Sequence, residues 1–278
     1  MNAGIDAGMR LVKLCLVGRT TIFASRCFEM DANFERRCSE ALAACAHEAA
    51  SAGFSSGRIR SITATGYGAS LVRRARAHAA EDACIAAAAR GTSSPARSVI
   101  DAGGLFIKIH RIAENGRATE TVTSEKCAAG SGRFLEIAAQ ALKMPFEALA
   151  GMDLADASPF HITGSCAVFA ESELISRIGR GTPARDIIAG VVRALAVKTV
   201  TLMDHARAAD PVAITGGLSS VTAYVDMVRK ISGREISILQ PGPVLTSAYG
   251  AALIGASRQS GPAARFAARL IPWRSDHE

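Results

Sequence analysis

Four residues occur twice in the same order, and that repeat restricts the fold more than any other stretch. Ile5-Asp6-Ala7-Gly8 recurs letter for letter as Ile100-Asp101-Ala102-Gly103. In both copies a lysine stands seven residues past the aspartate, Lys13 in the first and Lys108 in the second. A β-rich hairpin follows each time: Leu11–Gly18 and Thr20–Phe28 around Gly18-Arg19, then a second one turning at Glu114-Asn115-Gly116. Two copies 95 residues apart are too few and too long for a solenoid. They predict a duplicated α/β domain with a cleft between its halves. The first lobe is expected over residues 1–97, completed by a helix at about 246–258, the second over 98–245, and a tail over 259–278.

Between the repeats the punctuation is that of alternating helices and strands. Asn33–Gly53 is alanine-rich and free of proline, which predicts a helix. Ser61–Ala64 predicts a short strand running into Thr65-Gly66-Tyr67-Gly68, with helices from about Ser70 and over Glu81–Arg90. After Cys127 come Ala128-Ala129-Gly130-Ser131-Gly132 and a helical spacing of Phe134, Leu135, Ile137, Ala138 and Leu142. Pro159–Thr163 reads as a strand. Gly164-Ser165-Cys166 then opens another helix, with Ser165 as its N-cap. A long helix over Asp186–Ala209 leads to a buried strand, Pro211–Ile214, which ends in Thr215-Gly216-Gly217. A helix to about Ile231, a strand over Glu235–Leu239 and a helix over Thr246–Arg258 complete the pattern, and Gly261–Glu278 reads as a surface helix with a frayed end.

Composition excludes several functions. The net charge of +7 is scattered, with no basic block, and one tryptophan with three tyrosines gives no platform for stacking bases. No nucleic-acid partner is expected. No run approaches about 20 apolar residues, so no membrane span is expected. The N-terminus lacks the basic and apolar regions of a signal peptide. Seven cysteines, an odd number without a framework spacing, fit a reducing cytoplasm. Cys38 and Cys45 share one helical face and read as core.

The chemistry concentrates in turns. Neither GxxxxGK[ST] nor GxGxxG after a strand is present, so the two commonest nucleotide folds are not indicated. Instead a strand runs twice into Asp-x-Gly. Gly8, Gly103 and Gly104 let backbone amides approach a phosphate, and Asp6 and Asp101 can hold Mg2+ directly or through water. Thr215-Gly216-Gly217 offers a third close-approach turn, suited to the sugar or base of the nucleotide. Lys13 and Lys108 either face the phosphates or point from their strands to solvent. Cys127 and Cys166 each stand just before a predicted helix, where free amides and the helix dipole favour a thiolate.

Two Asp-x-Gly hairpins and a late Thr-Gly-Gly resemble the actin/Hsp70/sugar-kinase superfamily, whose fold is ribonuclease H-like and two-lobed. Within it, Ala64-Thr65-Gly66-Tyr67-Gly68, Glu125–Phe134 around Cys127, Cys166–Glu173, Thr215-Gly216-Gly217 and Gly250-Ala251-Ala252 resemble the BadF/BadG/BcrA/BcrD ATPase family. The resemblance runs from Gly4 to about Ala256. It implies ATP and Mg2+ bound by the turns, with Gly130 and Gly132 in the cofactor-binding set. It also implies a [4Fe-4S] cluster shared between two subunits, two thiolates from each, ligated here by Cys127 and Cys166. ATP hydrolysis would change the angle between the lobes and drive an electron from a ferredoxin or flavodoxin onto an acyl-CoA enzyme.

The chain departs from the family pattern at both turns. Met9-Arg10 follows the first, where Ser or Thr is common, and Leu105-Phe106 stands where Gln-Asp is common in the second. These departures point to the smaller ATPase subunit of a benzoyl-CoA reductase, paired with a related larger ATPase chain. The alternative is a homodimeric activator of a 2-hydroxyacyl-CoA dehydratase. From another class, the same fold would serve a small-molecule kinase or a non-catalytic nucleotide sensor, neither of which uses the paired cysteines.

Overall fold

The first Asp-Gly repeat forms a strand covered on both faces, β1 (Asn2–Ala7), in which every residue is buried. The computed structural model describes residues 1–54, 58–91, 95–125, 130–162 and 167–260. β1 pairs antiparallel with β2 (Leu11–Gly18), which pairs antiparallel with β3 (Thr21–Glu29). On its other side β1 runs parallel to β4 (Ser61–Thr65), and β4 to the two-residue β5 (Ala77–His78). The sheet order is β3-β2-β1-β4-β5.

The second repeat builds the same sheet. β6 (Ser98–Ala102) pairs antiparallel with β7 (Ile107–Ile112), whose other neighbour is β8 (Ala118–Thr123). It runs parallel to β9 (Val212–Thr215), beyond which lies β10 (Ile236–Ile238). Read outward from the Asp-Gly strand, both sheets have two antiparallel hairpin strands on one side and two parallel strands on the other. The duplication in the letters is a duplication in topology.

The chain divides into two compact units. The first comprises Met1–Ala96, Ile112–Thr119 and the described part of Leu239–Glu278; the second comprises Arg97–Arg111 and Glu120–Ile238. In the first, α1 (Phe34–Ser51) presents Phe34, Cys38, Leu42 and Cys45 along one stripe to Ile5, Leu14 and Leu16 of the sheet. On a separate core, Ala248, Tyr249 and Ala252 of α8 (Thr246–Ser260) meet Cys15, Val17 and Ala88 of α2 (Glu81–Arg90). Small residues permit this closeness: a Cβ on Gly4 would run into the carbonyl of Ala248. In the second unit α3 (Gly132–Ala141), the short α4 (Phe146–Ala150), α5 (Ala167–Gly179), α6 (Ala184–His205) and α7 (Thr222–Ser232) surround the sheet. Their core joins Ile100, Ile107 and Ile109 to Phe134, Leu135, Val191, Leu195 and Tyr224. No described helix is long and apolar enough to cross a membrane.

Two expected elements are absent. From Ser70 there is one tight turn, Ala69–Leu71, and then irregular chain into β5. Arg73, Arg74 and Arg76 crowd that segment, and Val72 is its one buried anchor, too little apolar face to hold a helix. Residues 159–162 are not a strand either. The Phe160 backbone lies against α6, where a Cβ on Gly190 would be 2.8 Å from its carbonyl oxygen, and its ring receives the Arg177 guanidinium at 5.0 Å. A backbone seated on a helix has no ladder to join. The tail expected over Gly261–Glu278 lies outside the described residues.

Cys38 and Cys45 are core residues, with Cys15 and Cys84 buried as well. Burial pushes the thiols of Cys38 and Cys45 up to about 11 and that of Cys84 up to about 12, from an ordinary value of 9.0. The fold thus favours the neutral thiols. Their contribution is complete below pH 9 and is lost as pH rises through the folded-state values. Each proton released only on unfolding costs up to about 1.4 kcal/mol per pH unit in that window. Melting temperature is expected to hold from pH 7 to about 8.5 and to fall steeply between about 9 and 11. Calorimetry across that range checks it, and Cys45→Ala should shallow the fall.

Candidate functional site

The spacing of seven between aspartate and lysine has a simple structural meaning. With Ala7 opposite Val12 and Ala102 opposite Ile107, Asp6 falls directly opposite Lys13 and Asp101 directly opposite Lys108. In the first unit the pair closes: Lys13 Nζ lies 2.9 Å from Asp6 Oδ2, with the two side chains only 18% and 10% exposed. Lys13 is therefore held at the aspartate rather than pointing to solvent. Lys108 is half-buried across from Asp101. Gly8 donates its amide to Leu11 O at 3.1 Å, which closes the turn that follows Asp6.

The parallel neighbour of each Asp strand supplies the lid of the turn. Thr65 on β4 is in register with Asp6, and Thr215 on β9 with Asp101. A glycine at positive φ follows each threonine, Gly66 at +87° and Gly216 at +88°. A Cβ on Gly66 would strike Asp6 Oδ1, and a Cβ on Gly216 would come within 2.5–2.8 Å of the O, C and N atoms of Ala102. Only glycine allows the crossing. Gly68 N then donates to Ala7 O at 2.8 Å, and Ser219 Oγ to Gly216 O at 2.7 Å.

Thr65 and Gly66 are thus the first unit's equivalents of Thr215 and Gly216, a correspondence that reading the letters alone misses. Its signal is that Ala64-Thr65-Gly66 and Ile214-Thr215-Gly216 each end the strand parallel to an Asp-Gly strand.

In the second unit, Gly103 N donates to Phe106 O at 2.9 Å, and the turn is also tied to a helix. Gly132 N donates to Gly103 O at 3.1 Å and Arg133 N to Gly104 O at 2.9 Å. The first two amides of α3 are therefore occupied by the turn and are not left for a thiolate. Cys127 stands five residues before this helix and Cys166 immediately before α5; both lie outside the described residues, as does the expected N-cap Ser165. Gly130 sits beside the Lys198 side chain on α6, with a Cβ there 3.9–4.0 Å from its Cδ and Nζ atoms. Gly104 and Gly217, by contrast, would bring a Cβ within 4 Å of no atom, which fits backbone that a phosphate can approach. The donor set suits a magnesium nucleotide: carboxylates, a lysine and glycine-rich backbone in each unit. Among the described residues no group of three or more His, Cys, Asp or Glu side chains is placed to hold a metal.

His110 on β7 has no counterpart among the residues that the sequence singles out, because a lone histidine in a β-rich run carries no signal. It is 1% exposed. Its Nδ1 lies 3.0 Å from Thr121 Oγ1, and its Nε2 has no hydrogen-bond partner and faces Asp101 Oδ2 at 4.0 Å.

Known proteins similar to this chain include ATPases of acyl-CoA enzyme systems. The (R)-2-hydroxyglutaryl-CoA dehydratase activating ATPase of Acidaminococcus fermentans is 36% identical over 191 residues, 68% of this chain and 73% of that protein. A benzoyl-CoA reductase subunit of Thauera aromatica is 30% identical over 168 residues, 59% of this chain and 60% of that protein. The solved activator of the 2-hydroxyisocaproyl-CoA dehydratase from Clostridium difficile, with bound ADPNP, superposes with a TM-score of 0.83 at 25% identity. That match covers 95% of this chain and 99% of that one. The fold is the actin-like ATPase fold. With the BadF/BadG/BcrA/BcrD ATPase family model matching residues 3–255, the chain belongs to that family of ATPases.

Proposed function

We propose that this chain is the ATP-driven, electron-activating component of an acyl-CoA enzyme system. The observation that carries the proposal is the pair of hydrogen bonds from Gly132 and Arg133 to the carbonyls of Gly103 and Gly104. They tie the second Asp-Gly turn to the start of α3, five residues after Cys127 in the sequence. A nucleotide that moves the turn pulls on the start of that helix.

In this reading Asp6 and Asp101 hold the Mg2+ of ATP directly or through water, and Lys13 and Lys108 offset phosphate charge. The turn glycines Gly8, Gly103, Gly104, Gly216 and Gly217 donate backbone amides, and Thr215 closes the second half-site. Gly130 and Gly132 carry the connection to Cys127. Cys127 and Cys166 are the ligands of a [4Fe-4S] cluster shared with a second subunit. When bound, that cluster supplies a one-electron carrier at low potential. Ferredoxin or flavodoxin is the donor class.

The departures at Met9-Arg10 and Leu105-Phe106 point to a benzoyl-CoA reductase subunit. The similarity weighs the other way: the dehydratase activators match at higher identity and over more of their length than the reductase subunit. A homodimeric activator of a 2-hydroxyacyl-CoA dehydratase is therefore the first reading, and the ATPase subunit of a benzoyl-CoA reductase the second.

Anaerobic purification separates the readings. The first reading expects a homodimer with about two irons per chain and intrinsic ATP hydrolysis. Cys127→Ser or Cys166→Ser should strip its iron–sulfur absorption. Turnover only on adding a second ATPase chain would favour the reductase. ATP turnover without iron would overturn both readings in favour of a kinase, and iron-free protein that binds ATP without turnover in favour of a sensor.

A further inference from the structure

We propose that His110 is a positioning residue for Asp101, holding that carboxylate in the orientation that nucleotide hydrolysis requires. The inference rests on the reading of Asp101 as a nucleotide-site residue.

At one buried place the second repeat carries a titratable ring where the first carries a thiol. Nine residues past its aspartate the first unit has Cys15, opposite Gly4; the second has His110, opposite Val99. Both positions are interior. Beside Asp6 that position holds a thiol, and beside Asp101 it holds an imidazole nitrogen 4.0 Å from the carboxylate. β7 reads Ile-Lys-Ile-His-Arg-Ile, so the histidine occupies a site that an aliphatic side chain would fill. An imidazole nitrogen without a partner in the interior is costly, and packing does not account for it.

The tautomer follows from the surroundings. A bare Nε2 lone pair would face the Asp101 carboxylate, which is repulsive. A proton on Nε2 faces it favourably, and Nδ1 then accepts from the Thr121 hydroxyl at 3.0 Å. At 4.0 Å the Nε2–H is short of a direct hydrogen bond. Its field acts on one carboxylate oxygen. The carboxylate is thereby restrained from the interior side of the sheet by β7, and Thr121 on β8 restrains the histidine in turn.

The test uses the full chain and steady-state ATP hydrolysis. His110→Leu is expected to lower kcat about tenfold with KM for magnesium ATP within about twofold, and His110→Gln to recover most of the loss. Adding His110→Leu to Asp101→Asn should cause no further loss, because the histidine acts through the carboxylate. Unchanged turnover in His110→Leu, or its full loss repeated on top of Asp101→Asn, overturns the proposal. If Asp101→Asn alone turns over normally, the nucleotide-site reading of Asp101 fails and the proposal with it. Should His110→Leu not fold, side-chain nitrogen NMR of the unmodified chain decides: a proton on Nε2 without nucleotide supports the proposal, and a proton on Nδ1 with Nε2 bare overturns it.

Discussion

Gly216→Val is expected to lower the melting temperature by about 10 °C and to remove the thermal shift that nucleotide produces. Two independent costs meet at this residue. Its φ of +88° is a conformation that a β-branched side chain adopts only with strain, of order 1–3 kcal/mol. Its Cβ would also stand 2.5 Å from Ala102 O, 2.6 Å from Ala102 C and 2.8 Å from Ala102 N. Those are backbone atoms of the strand that carries Asp101, so no side chain can swing aside to make room. Forcing that strand away costs about 1–3 kcal/mol more. Together the costs reach about 4 kcal/mol, and a unit of this size loses roughly 2–4 °C per kcal/mol. Gly217→Ala, one residue later, meets no atom within 4 Å and should melt within about 2 °C of the unmodified protein. Thermal melts with and without ATP compare the two directly. A Gly216→Val protein that melts normally would show that the crossing at Ala102 does not hold the site.

The repeated four letters foretell more than the presence of two sheets. The matched lysine spacing becomes legible only with the register, which sets Lys13 directly across from Asp6 and Lys108 directly across from Asp101. Where each loop settles after its strand is less legible. Thr65-Gly66 lies over the first turn as Thr215-Gly216 lies over the second, but Tyr67-Gly68 follows the one and Gly217-Leu218 the other. The equivalence is set by strand register rather than by flanking letters. The arginine-rich stretch after Ser70 reads as a helix because local propensity allows one. The single buried anchor at Val72 decides against it, and burial is not visible in propensity. His110 is beyond reach for the same reason: its proximity to Asp101 depends on the pairing of β6 with β7 and on which face of the sheet is interior. The amides before Phe134 read as free for a thiolate, yet the carbonyls that occupy them lie about thirty residues back at Gly103 and Gly104.

Those two hydrogen bonds lead to the second large expectation: Gly132→Val should separate nucleotide binding from the state of the cluster segment. A Cβ on Gly132 would lie 3.1 Å from Gly104 Cα, 3.2 Å from Gly103 O and 3.4 Å from Leu218 Cγ. A bare methyl group would be tight there, and the two further carbons of valine have no room without parting α3 from the turn. The bonds from Gly132 N and Arg133 N would then lengthen or break, at about 1 kcal/mol each. Under the proposed function, nucleotide and electron are linked across this contact. Linkage is reciprocal: if exchanging ADP for ATP shifts the reduction potential, reduction must shift the ratio of ATP to ADP affinity by the same factor. Couplings of this kind are commonly about 5–150-fold. In the unmodified protein the affinity ratio measured on oxidised and reduced samples should differ by a factor in that range. In Gly132→Val it should fall to about one, with ATP still bound. A variant that keeps the full factor would place the coupling outside the contact between the second Asp-Gly turn and α3. A variant that loses ATP binding altogether would show that α3 holds up the turn itself.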